Sequence, residues 1–184
     1  MNIPLGLVIA SLIFVSNWKL EDGWKGIKVF ETSRKEVEKR LGKPSEEDSG
    51  EVRYETDEAL FLVLYSGEPC RQPYTPPTDY VIKTSVLVEG FNVQKNTVLQ
   101  YSVIPKKELR LNDFEWDRKL YDRFEEPHIR SIVSYGNIEN GIRFATNVMH
   151  DVNGQYEAVR TVDFDRPTQL TKKYSCESKE KTDK

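Results

Sequence analysis

From Glu51 onward the apolar residues of this 184-residue chain recur with a period of two, and that rhythm confines most of it to β-strands. Val52 and Tyr54 share one face while Glu51, Arg53 and Glu55 share the other, as in a half-buried strand. Ala59–Tyr65 (ALFLVLY) is apolar at every position, so a central strand covered on both sides is expected there. The loop Cys70–Asp79 carries Pro73, Pro76 and Pro77 and breaks the pattern. Tyr80–Glu89 and Thr97–Ile104 read as the next two strands, joined through Gly90-Phe91-Asn92; Pro105 stops the second because it cannot donate to a ladder. Asn140-Gly141 and Asn153-Gly154 are strong hairpin signals, each expected to place two residues at positive φ in a tight primed turn. They predict a meander of Ser131–Asn137, Ile142–Asp151 and Gln155–Phe164.

One helix is plainly written. Ser33 and Glu36 have the spacing of a capping box, in which hydroxyl and carboxylate each satisfy a free backbone donor. Val37 and Leu41 share a face, Gly42 ends the segment and Pro44 prevents its resumption, so the helix spans Arg34–Leu41. Lys106–Pro127 follows neither period cleanly and predicts a helical turn near Asn112–Trp116 followed by an extended segment. No linker or internal repeat divides the chain. The expected fold class is α+β: a mainly antiparallel sheet of about six or seven strands with one or two short helices packed on it.

Ile3–Val15 is an uncharged apolar run followed by Ser16-Asn17. Thirteen helical residues reach ~20 Å, short of the ~30 Å hydrocarbon core of a bilayer. The run suits a secretory signal over residues 1–17, with an uncleaved anchor or a buried element of the fold as alternatives. The domain is then residues 18–176, and Glu177–Lys184 is a charged tail expected to be disordered. No cysteine lies near the end of the run, so the chain is not expected to be a lipoprotein. Cys70 and Cys176 stand 106 residues apart and would pair in an oxidising compartment such as the periplasm or the secreted space. The alternative is two separate thiols.

The net charge of −3, with both signs interspersed and no basic stripe, argues against nucleic acid as a partner. Two distant cysteines and two scattered histidines do not make a metal-ligand set. No phosphate-binding Gly-rich loop or dinucleotide fingerprint occurs, so no cofactor is expected. His128 follows Glu125-Glu126-Pro127, and His150 precedes Asp151; neighbours on a strand point to opposite faces, so His150 and Asp151 cannot pair directly. No nucleophile motif accompanies either histidine, and no catalytic residue is assigned. Asp113, Glu115, Asp117, Asp122, Glu125 and Glu126 cluster around Trp116, Tyr121 and Phe124. Carboxylates beside aromatics suit a sugar-cleaving cleft, whereas the interleaved Arg118, Lys119 and Arg123 suit a self-neutralised surface. Trp18 and Trp24, with Tyr74 of the Pro-rich loop, offer a second aromatic face. Trp18, Trp24, Tyr74, Trp116 and Tyr121 are therefore the candidate binding residues.

Gly26-Ile27, Thr32-Ser33-Arg34 with Val37, Leu41-Gly42 with Pro44, and Tyr54 form an ordered pattern across residues 24–65. It resembles the helix-turn-strand opening of the SmpA/BamE-type envelope proteins and the similar unit of the β-lactamase-inhibitor-protein folds. Trp24, Gly26, Ile27, Pro69-Cys70, Ile104–Leu109 and Glu139–Ile142 also resemble segments of a group of uncharacterised exported bacterial proteins. The resemblance implies an exported scaffold that works by contact with a protein or envelope polymer. The absence of the lipid-carrying cysteine of the SmpA/BamE group argues against a role in outer-membrane assembly. A cell-envelope hydrolase using the 113–126 carboxylates, or a structural subunit of an extracellular assembly, are the competing expectations. Membrane contact is expected only through the N-terminal segment, if it is retained.

Overall fold

The computed structural model describes residues 19–48, 51–70, 90–125 and 131–176. The expected leader, Trp18, Tyr74, the Tyr80–Glu89 strand, Glu126, His128 and the charged tail lie outside them.

The helix α1 spans Arg34–Leu41, with the Ser33/Glu36 capping box formed and Gly42 at φ 91° closing it. It buries Val37 and Leu41, the two apolar positions one turn apart. The strands are β1 (Glu46–Asp48), β2 (Glu51–Glu55), β3 (Ala59–Tyr65), β4 (Val98–Pro105), β5 (Asp122–Glu125), β6 (Ile132–Asn137), β7 (Ile142–Asp151) and β8 (Gly154–Phe164). A second helix, α2 (Thr168–Tyr174), follows Pro167.

All eight strands join one antiparallel sheet in the order β1-β2-β3-β4-β8-β7-β6-β5. The order is palindromic: two four-stranded meanders meet along β4 and β8, although no repeat is readable in the sequence. The seam is short, pairing Tyr101 with Phe164, Ser102 with Asp163 and Val103 with Val162. Stacked Tyr101 and Phe164 rings (4.4 Å) and a Ser102–Asp163 hydrogen bond (2.6 Å) reinforce it.

One face of the sheet forms the core. Tyr54, Phe61, Val63, Tyr101, Val103, Phe144 and Val162 are buried there under α1, the segment from Leu20 to Phe30 and the segment from Leu109 to Tyr121. Among the described residues no α-helix covers the second meander. Aromatic rings do so instead: Phe144 lies at the centre of Phe114, Trp116, Tyr121 and Tyr135, with centroids 4.9–6.1 Å away.

The α+β fold with a mainly antiparallel sheet is as expected, and among the described residues the sheet has eight strands, because the short edge strands β1 and β5 carry mostly charged residues with no apolar alternation. Several finer expectations are corrected. β3 is central, but only Ala59, Phe61, Val63 and Tyr65 are buried; Leu60, Leu62 and Leu64 are half-buried on the opposite face. The hairpins form where expected with different turns. Asn137 pairs with Ile142 across a four-residue loop, and Asp151 pairs with Gly154 across Val152-Asn153. Only the glycines adopt positive φ, Gly141 at 67° and Gly154 at 118°. Asp151 Oδ1 accepts from Asn153 N (2.7 Å), a side-chain turn that replaces the primed geometry. The helical turn in the ambiguous stretch is a 3-10 turn at Leu111–Asp113, followed by another at Arg118–Leu120 and then by β5.

Cys70 and Cys176 form a disulfide, with Sγ atoms 2.15 Å apart. Around it Cys70 N donates to Phe91 O, Asn92 N to Tyr174 O and Cys176 N to Gly90 O, at 2.7–3.1 Å. Among the described residues no helix is long and apolar enough to cross a membrane.

Candidate functional site

Residues Leu20 to Phe30 run across the core face as a strap of two 3-10 turns, Leu20–Asp22 and Trp24–Gly26, hinged at Gly23. Leu20 and Ile27 are fully buried and hold the strap down. Tyr101 is its main polar anchor: its buried hydroxyl accepts from Trp24 N (3.0 Å) and donates to Ile27 O (2.8 Å). Burial pushes the Tyr101 phenol well above its ordinary range, so the group stays neutral and keeps donating. Gly23 is obligatory beneath this anchor. It sits at φ 76°, and a Cβ there would lie 2.0 Å from Ile27 O. At its start the strap is tied to the second half by Leu20 N donating to Glu115 O (3.1 Å).

Two concave surfaces flank the strap and share Glu21. The first is a cleft of about 380 Å³ between the strap, the β6–β7 loop and the junction of β8 with α2. Buried Ile27, Val29, Ile142 and Phe164 line it, with Leu170 of α2 at one wall. Its acidic side chains are Glu21, Glu31, Glu139 and Asp165, and Lys28 is the one cation among the lining residues. Asp165 accepts from Arg166 Nε (3.2 Å), whose Nη1 is buried with no hydrogen-bond partner among the described residues. The guanidinium lies 5.7 Å from the centre of the Phe91 ring.

The second surface is a groove of about 490 Å³ walled by Lys19, Glu21, Glu115, Trp116, Asp117 and Leu120. Trp116 is half-buried, and its ring packs edge-on against Tyr121 (5.5 Å), Tyr135 (5.3 Å) and Phe144 (5.1 Å). Leu120 is 51% exposed at the rim. Tyr121 is buried, with only its hydroxyl reaching out to donate to Glu21 Oε1 (3.2 Å). Burial first, and then the Glu21 carboxylate, push the Tyr121 phenol far up.

Of the expected binding residues, Trp116 and Tyr121 do come together, one lining the groove and the other supporting it from below. Trp24 does not belong to an exposed aromatic face. It is 9% exposed and packs edge-on against Phe61 at 6.4 Å. The carboxylates of the 113–125 segment are dispersed. Asp113 accepts from Arg110 N (2.6 Å), Asp117 accepts from Lys119 N (3.0 Å) and Glu125 pairs with Arg123. Only Glu115 and Asp117 reach the groove. His150 stands opposite Gln155 at the exposed end of β7, while Asp151 turns to Arg110 (3.3 Å). Among the described residues no group of three or more His, Cys, Asp or Glu could hold a metal ion.

Glu21, Glu31, Glu139, Asp165 and Tyr101 were not distinguishable in the sequence. They come from segments far apart in the chain, and only the closing of the sheet brings them to one strap. No known protein family, curated protein or solved structure matches the chain.

Proposed function

We propose that this chain is an exported binding module that contacts a protein or an envelope polymer through the two concave surfaces beside its strap. One observation carries the reading: a pinned strap separates two open recesses, one floored by buried aliphatic side chains and the other presenting Trp116 and Leu120 to solvent. Half-buried aromatics and aliphatics on a rigid concave support are the usual anchors of protein contacts. Export is supported by the Cys70–Cys176 disulfide, since such bonds persist in oxidising compartments, together with the apolar run at Ile3–Val15. The likeness of residues 24–65 to envelope scaffold openings agrees with this reading.

Photo-crosslinking side chains placed in the full chain at Leu120, Leu170 and Arg143 test it in the native host. Arg143 is exposed on β7, between buried Ile142 and Phe144, and so on the sheet face opposite the strap. Adducts at Leu120 or Leu170 with none at Arg143 are expected. Equal adducts at all three positions, or none at any, would reject the proposal. A parallel panel of glycan and ester substrates addresses hydrolysis; turnover that disappears in Glu125→Gln would replace the binding reading with an enzymatic one.

A further inference from the structure

We infer that the cleft between the strap and α2 receives a basic, partly aliphatic peptide segment of a protein partner. The inference rests on the binding reading above and adds the chemistry of the occupant.

The floor of the cleft is apolar. Ile27, Val29, Ile142 and Phe164 are each at most 8% exposed and close its base. A wholly polar ligand would gain nothing from such a floor, whereas an aliphatic side chain would lose apolar surface to it. The walls carry the opposite property. Glu31 stands beside the strap and Glu139 in the β6–β7 loop; both are exposed and neither forms an ion pair among the described residues.

Some acidic side chains elsewhere are matched, Glu38 and Glu47 with Arg34, Glu46 with Arg53, Glu55 with Lys106, Glu58 with Lys25 and Glu68 with Lys95, whereas Glu51, Asp57 and Asp122 form no ion pair among the described residues. What sets the cleft apart is that its carboxylates stand over an apolar floor. Around the cleft, among the described residues, Asp165 alone is matched, by Arg166, and Glu21 receives only the neutral Tyr121 hydroxyl. Three carboxylates thus face one ammonium, Lys28, across an apolar recess. Low-dielectric walls lined by one sign of charge focus the field and favour a ligand of the opposite sign. At about 380 Å³ the recess is near the small end of ligand pockets, room for one or two side chains rather than a folded surface. A lysine or arginine next to a leucine-like residue meets both demands: the aliphatic group on the floor, the cation between Glu31 and Glu139.

Fluorescence anisotropy with the oxidised full chain tests the assignment. The probe is a labelled alternating Lys-Leu hexapeptide, with a Glu-Leu hexapeptide, a Lys-Ser hexapeptide and a glucosamine oligomer as comparisons. The Lys-Leu peptide should bind at least tenfold more tightly than each of the three, and its affinity should fall at high salt. The double variant Glu31→Lys/Glu139→Lys should weaken it at least tenfold, and the milder Glu31→Gln/Glu139→Gln should weaken it in the same direction. Glu51→Lys, exposed on β2 and away from both concave surfaces, should change it less than twofold.

Equal binding of the Glu-Leu peptide, an unchanged affinity in both rim variants, or equal binding of the glucosamine oligomer would overturn the inference. If adducts form at Leu170 in the host but persist undiminished in the rim variants, the charge assignment fails and the binding module stands. If neither adducts nor peptide binding appear, both fail.

Discussion

Tyr101 carries two hydrogen bonds at once, one to each end of the Trp24–Gly26 turn, from a ring stacked on Phe164 across the seam of the sheet. Its hydroxyl therefore fixes the position of the strap relative to both meanders. Tyr101→Phe keeps the ring and strands a buried N–H and a buried carbonyl, which costs about 1–3 kcal/mol for each group left unsatisfied. With two such groups, urea unfolding should show a loss of about 2–6 kcal/mol, with faster hydrogen exchange confined at first to residues of the strap. A variant as stable as the parent would mean that the strap is held by Leu20 and Ile27 alone. Arg166 illustrates the opposite economy, a buried guanidinium with one nitrogen unpaired among the described residues that nonetheless neutralises Asp165 at the cleft wall.

Among the elements, those whose identity rests on local chemistry were legible in the sequence. The helix α1 has the bounds its capping box and Gly42 dictate, β2 follows its period-two run, and β3 and β7 keep the bounds their apolar run and hairpin signal give them. The elements that escaped notice are held by context. β1 (Glu46–Asp48) is wholly exposed and is a strand only because it pairs with β2. In α2 the polar residues hide the spacing of Leu170 and Tyr174, one turn apart, and no residue is buried. The candidate site was half legible for the same reason. Trp116 and Tyr121 are neighbours in the chain, whereas Glu31 and Glu139 meet only through the finished sheet.

The capping box supplies the test at this scale. Ser33 Oγ and the Ser33 backbone N–H both donate to Glu36 Oε2, at 2.7 and 2.8 Å, and these bonds hold the Glu36 carboxyl below its usual range. Ser33→Ala should cost ~1 kcal/mol, as caps generally do. A carboxyl whose folded value is depressed contributes stability that is present above its unfolded value and fades as pH falls through the folded one. The gap between parent and variant, measured by denaturation along a pH series, should therefore narrow in acid. A gap that widened there would show that Glu36 takes no part in the cap.

For the whole molecule, the disulfide closes a loop of 106 residues that contains the seam and the entire second meander. The chain-entropy treatment gives ~4.7 kcal/mol for a loop of about 100 residues, and native bridges in small domains are typically worth about 2–5 kcal/mol. Cys70→Ser/Cys176→Ser should lose stability in the latter range, read from urea midpoints and slopes. Since α2 buries no residue, it should be the first part to exchange its amides in the variant. Unchanged stability and unchanged protection at Thr168–Tyr174 would show that the hydrogen bonds to Gly90 and Asn92 suffice without the bridge.

The β7–β8 hairpin ends in Val152, wholly exposed at the tip and open to any passing protease. A cut there leaves Cys70 on one fragment and Cys176 on the other, still bonded, with β8 wedged between β4 and β7. The severed protein would migrate as a single species until a reductant was added. Cleavage at that tip need not disassemble the molecule.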